Sequence, residues 1–165
     1  MRRSDFQLTL AMLAVAAAGL LGACASAPPQ MTPELVARIG YHSLGPEMKM
    51  SDQMLTVWVP APAKPADGTP SMSPEATAAL LAASSPMVSD LAQVMARGAV
   101  EPVNLAVGGP DSALAAQILL RAFRAVPMPV PYLRIAFVGR PVDVSELAAT
   151  ALMKRAVLQF ELAPI

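Results

Sequence analysis

From residue 103 onward the chain alternates short β-favouring runs with helical ones, and this alternation restricts the fold more than any other feature. Val103 to Val107 reads as a strand, Asp111 to Ala125 as a helix, Tyr132 to Val138 as a strand, Ser145 to Lys154 as a helix and Val157 to Leu162 as a strand. Such a pattern predicts a layered α/β domain in which helices return the chain between strands and cover the sheet. The second helix is short for a full crossover. The expectation is therefore a small layered domain with a three- or four-stranded sheet, with parallel and mixed arrangements both open. A polar stripe of Gln117, Arg121 and Arg124 marks the first helix, and Glu146, Thr150 and Lys154 mark the second, at spacings of three or four. The rest of the first helix is apolar, so the sheet, the middle helices or a partner must cover most of it.

Upstream, Met54 to Val59 reads as another strand, with Leu55, Val57 and Val59 on one face and Thr56 and Trp58 on the other. Pro60, Pro62, Pro65 and Pro70, with Gly68 among them, make the following stretch a loop. Ser73-Pro74-Glu75 has the chemistry of a helix start: a hydroxyl for free amides, a proline at the first helical position and an acid at the positive end. That helix runs to Pro86, and Val88 to Arg97 forms a second one, stopped by Gly98. Glu34 to Ile39 supports only one or two helical turns before Gly40 and Gly45-Pro46. The expected organisation is a proline-rich segment with one strand at 34–70 and an α/β domain at 71–165, with packing of 34–59 onto it left open. Residues 103–162 are expected to hold the principal core.

The N-terminus, up to Cys24, carries a different kind of information. Arg2 and Arg3 are followed by an apolar run from Phe6 to Leu21, then by Leu21-Gly22-Ala23-Cys24, which holds the only cysteine. A basic start, an apolar segment and small residues in this order form an export signal. The Leu-Gly-Ala-Cys run resembles the processing box of bacterial lipoproteins. The resemblance implies lipid attachment at Cys24 through palmitate-type acyl chains, removal of the export signal at 1–23, and a mature chain that begins at Cys24. Several acyl chains anchor stably, at about 0.8 kcal/mol for each buried methylene. Ala25 stands where an aspartate would favour inner-membrane retention. The resemblance thus implies outer-membrane attachment, a periplasm-facing polypeptide and a tether at 24–33. An ordinary export signal or an apolar anchor that ends in Cys24 by chance is the alternative.

Chemistry is harder to find in the remainder. Without Arg2, Arg3 and Asp5, 10 basic and 11 acidic side chains give a formal charge of −1. That balance provides no field for nucleic acid, which is not an expected partner. Acylation of Cys24 leaves no thiol for a disulfide, so packing must supply the stability. Gly108-Gly109-Pro110-Asp111 joins a strand to a helix, but it lacks the lysine and hydroxyl of a phosphate loop and the glycine spacing of a dinucleotide fingerprint. Asp111 there reads as a helix cap. His42 is the only histidine and is expected in a loop. Its neighbour Ser43 does not make a catalytic pair by adjacency alone. No catalytic residue, cofactor or metal is expected.

Contact is the better-supported role. Met48, Met50 and Met54 lead into Leu55, Val57 and Trp58, a soft apolar segment suited to an irregular partner surface or to packing beneath the middle helices. Arg121 and Arg124 add a face that could meet acidic groups. Met48, Met50, Met54, Trp58, Arg121 and Arg124 are accordingly the candidate protein-binding residues. Pro127, Pro129 and Pro131 enforce an extended approach to Tyr132. The expected function is a lipid-anchored accessory or scaffold of a bacterial envelope assembly, such as a secretion, conjugation or appendage system. The alternative is a small-ligand-binding lipoprotein or an enzyme with an unrecognised site.

Overall fold

A computed structural model describes residues 31–49, 52–62 and 72–163 of the chain. Cys24, the export signal, Met50 and most of the expected tether lie outside these residues. Helix α1 spans Pro33–Leu44, strand β1 Met54–Trp58, helix α2 Pro74–Ser84, helix α3 Met87–Ala96, strand β2 Val103–Gly108 and helix α4 Ser112–Ala125. Strand β3 (Leu133–Gly139), helix α5 (Ser145–Met153) and strand β4 (Val157–Leu162) complete the order.

The four strands form one sheet in sequence order, and every neighbouring pair is parallel. The mixed arrangement is not adopted. Helix α5, with nine residues, is long enough for the last parallel crossover. Every residue of β2 is buried, as are all those of β3 except Arg134, because both faces of the central sheet are covered. Leu105, Val107, Ile135 and Phe137 enter the large core with α2, α3, α4 and α5. Ala106 and Val138, on the alternate positions, face Val36 of α1 in a smaller core on the other side. Phe123 and Phe137 are among the largest fully enclosed side chains, and Phe137 stacks with Phe160 at a centroid distance of 6.5 Å. The apolar body of α4 is covered by the sheet and its neighbouring helices, with ten of its 14 residues buried.

One expectation about the first half changes. Helix α1 continues through Gly40 to Leu44 and has 12 residues, so Gly40 does not stop it. The reason is packing: a Cβ at Gly40 would come within 3.0 Å of the Ala106 Cβ, so the missing side chain lets the helix lie directly on β2. The packing left open for 34–59 is present among the described residues. The described residues form one compact unit, with β1 paired to β2 from Met54↔Asn104 to Trp58↔Gly108. Residues 103–162 supply the central strands, but β1 and α1 complete the sheet and its second covered face. The helix starts follow their local chemistry. Thr32 caps α1, Ser73 caps α2 and Asp111 caps α4, each accepting a hydrogen bond from an amide three residues on. Thr32 and Pro33 thus belong to the helix entrance and not to the tether.

Candidate docking surfaces and the strand-end crevice

The C-terminal ends of parallel strands are the usual place for a ligand, particularly where the strand order reverses. Here a crevice of about 720 Å³ lies at that end, lined by Gly109, Pro110, Asp111, Ser112, Arg140 and Ala163, with Met31 and Pro74 at its sides. The order β1-β2-β3-β4 contains no reversal. Gly109 fits because its missing Cβ would collide with the Val59 carbonyl, so the turn passes directly over the end of β1. The polar groups are engaged in holding the fold. Asp111 Oδ1 accepts from the Leu114 amide at 3.0 Å, and Ser112 Oγ accepts from the Arg140 amide at 2.8 Å. The Arg140 guanidinium donates to Asp143, with Nε 3.1 Å from Oδ2. Hydrogen bonding to Asp143 and its charge, supported by Asp111 and Glu75, raise the Arg140 pKa above its ordinary value.

His42 lies in the last turn of α1, not in a loop, and is exposed. Met31, just before α1, lines the crevice, so the 12 residues of the helix carry His42 toward the other end of the sheet, about 15 Å along the axis. Ser43 Oγ donates to Gln159 Oε1 at 2.7 Å, and Gln159 Nε2 reaches Glu47 Oε1 at 3.4 Å. The Arg134 guanidinium donates to the Glu47 carbonyl at 2.6 Å. This chain of contacts ties α1 to β3 and β4. It is not legible locally, because it joins residues that stand far apart in the sequence. Among the described residues, no group of three or more His, Cys, Asp and Glu side chains is arranged to hold a metal ion.

The candidate binding residues do not form one surface. Met54 and Trp58 are half-buried against the small core under α1, while Leu55 and Val57 face the α3 side. The segment therefore splits between two faces of the sheet instead of packing beneath the middle helices alone. Met48 is half-buried just past α1, and Met50 lies outside the described residues. Arg121 donates to the Ala79 carbonyl of α2 at 3.0 Å, and Arg124 pairs with Glu146 of α5. The two arginines connect α4 to different neighbours.

No family model, curated protein or solved structure matches the chain.

A further set of exposed apolar residues lies on segments that meet at the N-terminal end of the sheet. Val100 precedes β2, Met128 and Tyr132 precede β3, Leu152 and Met153 end α5, and Val157 begins β4; all are exposed. Backbone bonds hold these segments together: Tyr132 N to Gly98 O at 2.9 Å, and Val130 N to Lys154 O at 2.8 Å. The Lys154 ammonium also donates to the Val126 carbonyl. The Pro127 to Pro131 stretch is not extended throughout, since it bends at Met128 and turns at Pro131–Tyr132, and it is fixed between the end of α5 and the entrance to β3. Its sequence signal is the alternating proline pattern; the neighbouring Leu152 and Met153 give none, because they fit an ordinary apolar helix face.

Proposed function

We propose that the chain is a lipid-anchored periplasmic accessory of a bacterial envelope assembly, attached to the outer membrane through acylated Cys24 and acting by binding protein. Export and anchoring rest on the resemblance of Leu21-Gly22-Ala23-Cys24 to a lipoprotein processing box. A binding role is supported chiefly by the exposed Val100, Met128, Tyr132, Leu152 and Met153 at one end of the sheet. Scattered exposed apolar residues are ordinary, but a convergent set marks an interaction surface. Met31 lies at the opposite end, beside the crevice, so a lipid tether joining there leaves this apolar end available to a protein partner. Asp111, Ser112 and Arg140 favour no catalytic role, since each is bonded to a structural neighbour.

A photo-reactive side chain at Leu152 or Met128, used in native membranes, tests the binding reading. The expected product is a discrete protein adduct, absent when the probe replaces exposed Thr77 on α2. A reproducible small molecule carried by the purified chain, with no protein adduct at either position, would replace this reading with ligand binding in the crevice.

A further inference from the structure

The sheet has two edges, and they differ in composition. Strand β4 carries Gln159 and Glu161 and follows Lys154 and Arg155. Strand β1 reads Met54-Leu55-Thr56-Val57-Trp58, without charge or proline, and among the described residues its outer side pairs with no strand. Unpaired amides and carbonyls along such an edge template another strand, and charge or proline is the usual defence. Leu55 is 42% exposed. Helix α3 leaves an apolar gap of about 190 Å³ beside it, lined by Leu55, Val57, Met87, Leu91 and Val94, with Asp90 at the rim.

We propose that this edge holds a second copy of the chain, β1 against β1 in antiparallel pairing about a two-fold axis at Thr56. The two sheets then become one of eight strands. Pairing about the midpoint sets Met54 opposite Trp58, Leu55 opposite Val57 and Thr56 opposite itself. The thioether meets the indole, the branched side chains meet beside the apolar gap, and no like charges face each other.

Charge on α3 selects the same partner. Met87 lies with Val59 and Pro60, while Arg97, just past the helix, lies with Gln53 and Leu55, so α3 runs antiparallel to β1. The two-fold axis brings the Asp90 end of one copy toward the Arg97 end of the other. Asp90 makes no ion pair among the described residues, and Arg97 pairs with Glu101 in an exposed contact that a carboxylate from another copy can share. A formal charge of only −1 on the mature chain adds little long-range repulsion between copies. The chain's own 63–71 segment is a poor occupant for an apolar gap: it contains Pro65, Gly68 and Pro70 and no large apolar side chain.

The test uses the purified full chain in detergent, carrying Cys24→Ser so that an introduced thiol stands alone. Oxidation of Thr56→Cys is expected to give a covalent dimer, while Ala148→Cys on the far helix α5 gives little. Without either thiol, light scattering should report two copies. Thr56→Lys should weaken association about 100-fold by placing two ammonium groups at the axis, with an unchanged circular dichroism spectrum. Asp90→Arg should weaken it as well, and adding Arg97→Asp should restore it. A monomer up to the solubility limit, or equal crosslinking from Ala148→Cys, would overturn the proposal. No envelope partner is present in this test, so its failure leaves the binding function of the opposite surface untouched.

Discussion

Replacing Gly40 by alanine should destabilise the fold even though alanine is the better helix former. In an exposed helix interior this exchange gains about 1 kcal/mol. At position 40 the new methyl would sit within 3.0 Å of the Ala106 Cβ and 3.0 Å from the Met54 Sδ, whereas ordinary contact begins at 3.4 Å. Met54 can turn aside. Ala106 cannot, because its Cβ has no rotamer and it lies fully buried on central strand β2, so α1 itself must lift. Overpacking of this kind costs about 1–3 kcal/mol, and a rigid neighbour puts it toward the upper end, leaving a net loss of about 2 kcal/mol after the helical gain. Trp58 is the only tryptophan and packs under α1, so its fluorescence follows the affected layer during urea unfolding. The midpoint should fall by about 1 M. Ala106→Gly in the Gly40→Ala background should recover part of the loss, since the two positions share one contact. A Gly40→Ala chain as stable as the parent, or more so, would refute the close packing of α1 on β2.

Two further outcomes follow from particular contacts. Arg121→Ala should cost about 1.5–3 kcal/mol in urea unfolding, because it removes a charged donor from the Ala79 carbonyl, whereas Arg124→Ala should cost only about 0–1 kcal/mol, since its pair with Glu146 is exposed. The Glu34 carboxyl should titrate below the usual glutamate range in an NMR pH series: its own backbone amide and then the Thr32 side chain favour the charged form. A depressed folded-state pKa stabilises the fold above the unfolded pKa, and that contribution disappears as pH falls through the folded value. Thr32→Ala should move the Glu34 midpoint back upward.

The second half of the fold is legible because local chemistry and tertiary packing agree there. Val103 to Val107 alternates toward two covered faces, Asp111 caps the next helix, and Val157 to Leu162 pairs with β3. Gly40 misleads because its missing side chain reads locally as a helix stop, while its decisive neighbour, Ala106, lies far along the chain on β2. The expected loop at His42 fails with it, since the helix simply continues. Arg121 and Arg124 look like one face at helical spacing, but the helices on either side of α4 divide them. Leu152 and Met153 are invisible as a surface because nothing in their own sequence tells an exposed end from a buried one. Asp111 is the opposite case: its role needs only the three residues after it.

The proposed function depends first on what happens at Cys24, and intact mass of the protein taken from its native membrane tests that most directly. The account predicts a polypeptide beginning at Cys24 and heavier than its sequence by the glyceride and acyl groups on that residue. A chain that retains the segment 1–23, begins at another residue, or carries an unmodified Cys24 thiol would contradict it.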